Sequence, residues 1–216
     1  MDNLILNSYS KISNLNVSRE TCNELESLIS MIQEKNKEVN IISKKMTEKE
    51  SIRERHIIDC AQIIDFIDKN DVNICTDLGS GAGLPGIVLA ILMKPKKPLF
   101  KVIFYEKSYH KSNFLKEISK KFKLNTEINQ KNIFDQKNLQ TDIIISRAFK
   151  PLPVIFEIAL KNFKKFKYII LFLGKSGKKI MKDTSRSWKF DCEEKKSITN
   201  EESLVIKISN LKKKNG

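Results

Sequence analysis

Hydrophobic positions along the chain fall into two regimes. In the first seventy residues they recur at helical spacing: Leu25, Leu28, Ile29 and Ile32 lie at i, i+3, i+4 and i+7, one apolar face of a helix. Ser18, just ahead of Arg19-Glu20, supplies an N-cap for it, and the pattern fades at 36–40. Thr47-Glu48-Lys49-Glu50 reads as a capping box. It opens a second helix to about Asp68, with Ile52, Cys60, Ile63, Ile64 and Ile67 on its buried side. Residues 1–70 are therefore expected to form an all-helical lead-in, closed by a turn at Asn70-Asp71.

Over 71–216 the pattern changes. Short apolar runs at Val72–Leu78, Leu99–Glu106, Asn125–Asn129, Asp142–Ser146 and Tyr168–Leu173 alternate with helical patterns at Pro85–Met93, Tyr109–Phe122 and Pro153–Phe163. Strands that are apolar on both sides belong in a parallel sheet covered by helices on both faces. Two late strands, about Lys189–Glu194 and Ser203–Ile208, flank a turn at Thr199-Asn200 and predict an antiparallel hairpin at the sheet edge. The expected fold is α/β: a doubly wound, Rossmann-like sheet, mostly parallel with an antiparallel edge, plus an N-terminal helical extension.

The chemistry gathers at Asp77-Leu-Gly-Ser-Gly-Ala-Gly-Leu-Pro-Gly-Ile, between the first strand and the helix after it. Glycines there admit left-handed backbone and close approach of a ligand, and a helix N-terminus presents free N–H groups. Dinucleotide folds use G-x-G-x-x-G to seat a pyrophosphate. Here the spacing is G-x-G-x-G, and the acid Asp77 stands two residues before the first glycine. A carboxylate there repels a pyrophosphate and suits a cationic ligand with no phosphate, such as S-adenosylmethionine. Asp77, Gly79, Gly81, Gly83 and Leu84 are the candidate cradle. A ligand-free strand-to-helix turn and an NAD-dependent oxidoreductase are the competing readings. Glu106, at the tip of the second strand, is placed to accept hydrogen bonds from ribose hydroxyls, or else is a solvated strand-end acid.

Charge changes the choice of partner. Lys+Arg number 40 against Asp+Glu 26, a net charge of +14, which favours a polyanion. The excess is mostly lysine in a chain also rich in Ile and Asn, so base composition of the genome is a competing cause. Cys22, Cys60, Cys75 and Cys192 are scattered, with no C-x-x-C, and with 2 histidines no zinc or other metal site is expected. Reduced thiols, a start lacking an apolar signal core and no apolar run of about 18 residues point to a cytoplasmic protein without a membrane span. A monomer is expected.

The glycine run, with its Leu-Pro-Gly continuation, resembles the motif of the RsmG (GidB) family, bacterial methyltransferases acting on guanine N7 of 16S ribosomal RNA. Arg55-His-Ile-Ile-Asp59 is similar to that family's R-H-x-x-D block, and Ser146-Arg-Ala-Phe149 to its S-R-A-F block, in the same order and spacing. The resemblance implies a class I S-adenosylmethionine-dependent methyltransferase fold and the small ribosomal subunit as partner. It implies that Glu106 holds the ribose, that Arg147 contacts the cofactor, and that adenine lies at Asn132-Ile133; the planar fork of Arg147 could also grip RNA phosphate or a base edge, or serve only a structural salt bridge. The family's acid is missing there, so either the main chain of Asn132 and Ile133 meets the adenine or Asp135 substitutes. Arg53 and Arg55 are candidate RNA phosphate contacts. Leu173 stands where the family has Lys, so Lys175 is a candidate for a shifted charge near the RNA. His56 and Asp59, i and i+3 on one helix, are expected to pin the lead-in to the sheet near Arg147. Phe149 is either a base-stacking ring or a core aromatic. Guanine N7 has a lone pair and no proton, so the reaction needs no general base, nucleophile or metal; Arg147, His56 and Asp59 are positioning candidates. A non-catalytic RNA-binding protein with a relic pocket remains the rival class.

Overall fold

The computed structural model describes residues 8–10, 17–43, 48–68 and 70–214; Met1–Leu4 and Thr47, on which the leader and capping-box expectations rest, lie outside them. Helix α1 (Arg19–Glu38) starts at Ser18, whose hydroxyl accepts from Thr21 N–H at 3.2 Å. It buries Leu25, Leu28, Ile29 and Ile32, as their spacing predicts. The second helical stretch follows the expected path but not one winding. α2 (Lys49–Ile52) runs into a π-helical segment, Arg53–Ile58, then α3 (Asp59–Ala61) and a 3-10 turn, Gln62–Phe66. Ile52, Cys60, Ile63, Ile64 and Ile67 are all buried.

Strands β1 (Ile74–Leu78), β2 (Lys101–Tyr105), β3 (Thr126–Asn129), β5 (Ile143–Arg147) and β7 (Tyr168–Leu173) are parallel, with Asp77 in register between Phe104 and Ile145. β8 (Trp188–Lys196) and β9 (Leu204–Lys213) form the hairpin, and β9 pairs antiparallel to β7. The order β3-β2-β1-β5-β7-β9-β8 is the doubly wound sheet with an antiparallel edge. A separate short pair, β4 (Leu139–Gln140) and β6 (Phe163–Lys165), is new relative to the sequence. Segments of two and three residues leave no periodicity to read.

Between the strands lie α4 (Gly86–Met93), α5 (Tyr109–Lys121), α6 (Leu152–Asn162) and α7 (Gly177–Thr184), the last in what the sequence presents only as a basic segment. α4 is buried on every side, which is why it is apolar throughout. Two apolar layers flank the sheet. One joins α1 and the 49–67 stretch to α4 and α5; the other joins α6 to the hairpin. No helix among the described residues is long and apolar enough to cross a membrane.

One expectation is overturned here. Arg53 does not face solvent or RNA: it is 5% exposed, and its guanidinium forks onto Glu26 at 2.7 and 2.8 Å and also meets Glu50. Tyr9 donates to the same Glu26 at 2.8 Å. Arg53 therefore ties α1 to the second helical stretch. Arg55, two residues on, is exposed. Breaking a buried ion pair strands its partner, so Arg53→Ala is expected to lower unfolding free energy by about 3 kcal/mol. Arg55→Ala should change it by less than about 0.5 kcal/mol. Urea denaturation of both variants checks the contrast.

Candidate active site

Beyond the carboxyl ends of β1, β2 and β5 lies a cavity of about 800 Å³. Its floor is the glycine turn. Gly79, Gly81 and Gly83 take φ of 66°, 56° and 87°, the left-handed region that disfavours a Cβ. Gly79 and Ser80 N–H both donate to Tyr105 C=O, at 3.0 and 3.3 Å, which ties the turn to β2. Gly79, Gly81 and Leu84 line the cavity as expected, whereas Gly83 does not. A Cβ on Gly83 would lie 2.4 Å from Ile87 and 2.6 Å from Leu115, so this glycine serves the close packing of α4 and α5.

Asp77 also stands off the wall, beneath the turn. It is fully buried; its Oδ2 accepts from Gly86 N–H at 3.0 Å, and its Oδ1 has no partner. Burial pushes its carboxyl up to about 7, with the nearby Glu106 charge adding to the rise and the Gly86 N–H opposing it. Glu106 is on the wall. Its Oε2 accepts from Gly81 N–H at 2.9 Å and its Oε1 from Ser108 N–H at 2.8 Å. Each oxygen keeps a second lone pair for a hydroxyl from the cavity.

Asn132 and Ile133 line the far side. Asn132 caps the 3-10 turn Ile133–Asp135, and Asp135 bonds back to its amide at 3.0 Å instead of lining the cavity. The carbonyls of both residues already accept internal donors, Asp135 N–H on Asn132 and Asn162 Nδ2 on Ile133. Main-chain N–H is what they offer a ligand.

Arg147 joins the lead-in to the sheet at the cavity wall. Its Nη2 donates to Asp59 Oδ2 at 2.8 Å and to Arg55 C=O at 2.7 Å, and its Nη1 to His56 Nδ1 at 3.2 Å. Its guanidinium lies 5.4 Å from the Phe172 ring centroid. The pinning role expected of His56 and Asp59 is thus made through Arg147. Because a guanidinium only donates, His56 Nδ1 accepts and the imidazole proton sits on Nε2, which is buried without a partner. Burial, then the Arg147 charge, lowers His56 to about 4. Asp59 also accepts from Gln62, Ser197 and Thr199, the last two from the β8–β9 loop, a set of partners no motif announces.

Phe149 is half-buried on the wall, with one side packed on the core layer of α6 and the hairpin and its ring against Gly79. Lys175 is exposed, paired with Glu202 at 2.7 Å, and does not line the cavity. The cations that do line it are Lys107, Lys111, Lys131 and Lys150 together with Arg147, against the single acid Glu106. Nothing in a lysine-rich sequence singles these four out.

The family model described as GidB, rRNA small subunit methyltransferase G, matches residues 21–206. The chain belongs to this family. It is 51% identical to the ribosomal RNA small subunit methyltransferase G of Pelagibacter ubique (strain HTCC1062), over 98% of this chain and 99% of that protein. It is 32% identical to the protein of the same name from Rickettsia bellii (strain OSU 85-389), over 92% and 98%. Among solved structures, a SAM dependent methyltransferase from Aquifex aeolicus superposes with a TM-score of 0.55 at 16% identity, covering 73% of this chain and 92% of that one. That likeness is one of fold.

The two perturbed groups give opposite pH slopes. Unfolded His56 binds its proton near 6.5 and the native residue near 4. Across that window the unfolded state holds more protons, so stability falls as pH drops from 6.5 to 4. Asp77 protonates near 7 when native and 3.8 when unfolded, so its contribution falls as pH rises from 3.8 to 7. His56→Gln should flatten the loss of stability on acidification between pH 6.5 and 4. Asp77→Asn should unfold no more readily than the wild type at pH 8. Urea midpoints measured across pH check both.

Proposed function

We propose that this chain transfers a methyl group from S-adenosylmethionine to N7 of a guanine in the 16S RNA of the small ribosomal subunit. The observation that carries the proposal is that the family's glycine run, Glu106 and Arg147 converge on one cavity whose rim is lysine. The residues present fit the cofactor. A turn in left-handed backbone leaves room for close approach, and a buried carboxyl with an orphaned oxygen favours a cation nearby. Glu106 is the acceptor for ribose hydroxyls, and the N–H groups at Asn132-Ile133 face the adenine edge.

When bound, S-adenosylmethionine supplies a methyl on positive sulfur: the N7 lone pair forms the new C–N bond, the S–C pair stays on sulfur, and no proton moves. The chain therefore needs to orient and not to deprotonate. Arg147, locked by Asp59, His56 and the Arg55 carbonyl, presents a fixed guanidinium at the wall. Neutral His56 leaves that cation unopposed by a second one. Lys107, Lys111, Lys131 and Lys150, with exposed Arg55, meet RNA phosphates; Lys175, off the cavity, joins them by exchanging its Glu202 partner for a phosphate. The protein acts as a monomer in this reading, in the cytoplasm where ribosomal subunits are.

Incubating the protein with isotopically labelled S-adenosylmethionine and small subunits lacking the modification should place one methyl on a guanine N7, located by mass mapping of the RNA. A wild-type protein that labels no guanine overturns the proposal. Arg147→Lys keeps the charge but loses the planar fork, and should lower kcat by about 10- to 100-fold. Asp77→Asn should weaken S-adenosylmethionine binding in titration calorimetry while keeping its stability at pH 8.

A further inference from the structure

The glycine turn and Glu106 account for one side of the cavity. Its lip carries Phe134, Phe149 and Lys150, to which the contacts proposed for the cofactor give no task. Phe134 is 43% exposed. The other large apolar side chains that stand in solvent among the described residues, Leu99, Tyr109, Leu160 and Ile198, lie off the cavity wall; Phe134 is on it. Its ring centroid is 6.5 Å from that of Phe149, with the planes at 40°. Lys150 Nζ lies 5.9 Å from each centroid.

This lip is built and held. Phe134 rides on the 3-10 turn Ile133–Asp135, whose Ile133 is buried. Buried Asn162 of α6 donates its amide to both Ile133 C=O and Gln136 C=O, at 2.6 Å each. The bracket holds at the cavity mouth a ring that is 43% exposed, so that apolar surface stays in water which packing elsewhere would have covered. Phe149 is held by a second device. Ala148 adopts φ 52°, a conformation L residues seldom take, as the chain leaves β5. The Phe149 ring returns onto the glycine turn, close enough that a Cβ on Gly79 would fall 2.0 Å from it. The lip is therefore continuous with the cradle, and a flat ligand stacked on it lies inside the same cavity as the cofactor contacts.

We propose that Phe134, Phe149 and Lys150 form the receptor for the target nucleotide: the guanine stacks on the aromatic lip and Lys150 pairs with its phosphate. This rests on the methyl-transfer function proposed above. Bases taken out of an RNA stack are held on aromatic faces, and a cation beside the ring meets the backbone. Guanine methylated at N7 is cationic, so an aromatic face holds it better than an aliphatic one.

The test uses the full chain, unmodified small subunits and four variants. Phe134→Ala and Phe134→Leu should each lower kcat/KM for subunits by about 5- to 100-fold, and Phe134→Trp should restore most of it. All three should bind S-adenosylmethionine with wild-type affinity in titration calorimetry. Lys150→Ala should reduce the slope of log affinity for subunits against log salt by about 0.7. Wild-type kcat/KM in Phe134→Ala, or full activity in Phe134→Leu, overturns the aromatic receptor. So does a loss matched by an equal loss of cofactor affinity, which would make Phe134 part of the adenine site. A wild-type protein inert on subunits refutes the reaction itself, an outcome seen before any variant is made.

Discussion

The site depends on one buried carboxylate. Asp59 is 8% exposed and accepts from Arg147 Nη2 at 2.8 Å, Gln62 Nε2 at 2.7 Å, Ser197 Oγ at 2.7 Å and Thr199 Oγ1 at 3.1 Å. Removing a carboxylate from water costs several kcal/mol unless its lone pairs are filled and its charge is matched. Here both conditions are met, and meeting them draws three distant segments together: the lead-in, the tip of β5 and the β8–β9 loop. The π-helical winding of Arg53–Ile58 belongs to the same constraint. It brings the Arg55 carbonyl and the His56 ring to Arg147 while Ile57 and Ile58 stay in the core. Departures from α-helical winding of this kind collect at functional sites.

Two opposite electrostatic demands coexist in one cavity because they are separated by depth. A cationic cofactor wants acid close by; a polyanionic substrate wants base. Asp77 lies fully buried beneath the glycine turn, where low dielectric makes its charge costly and its effect on a neighbouring cation large. Lys107, Lys111, Lys131 and Lys150 line the outer part, where solvent screens them from the buried acid over roughly 8–10 Å. Glu106 sits between the layers, its carboxylate oriented by the Gly81 and Ser108 N–H groups. The same arrangement keeps His56 neutral. Beside Arg147 a second cation would face repulsion as well as burial.

What the sequence discloses depends on how local the cause is. The strand, glycine turn and helix around Asp77 are legible because each rests on neighbouring residues: β-compatible apolar positions, left-handed glycines, then the all-apolar α4. The parallel sheet follows from alternating runs, and the late hairpin from two strands about a turn; the spatial order of the strands does not. Arg53 is misread because its partner Glu26 lies 27 residues away on another helix. Gly83 is misassigned for a partly related reason: it must clear Ile87 of the adjoining α4, but also Leu115, which comes from α5. Phe134 leaves no periodic signal, since it sits on a three-residue turn, and the four rim lysines are hidden among many others. Function-bearing side chains on irregular segments are where local pattern carries least information.

The C-terminal hairpin shows why motif content and structural need differ. Residues 188–213 carry none of the blocks that mark the family, yet β9 covers the edge of β7 along five registered positions from Leu173 to Ile169. An uncovered β7 would present a free hydrogen-bonding edge of apolar residues. The loop joining β8 and β9 then reaches back, and the Ser197 and Thr199 hydroxyls complete the set of donors around Asp59. Without them one oxygen of that carboxylate would retain only Gln62, and Arg147 would be anchored to a less satisfied acid. The hairpin thus bears on the cavity wall without lining it. It fixes the acid that fixes the arginine, through two hydroxyls and a run of strand pairing.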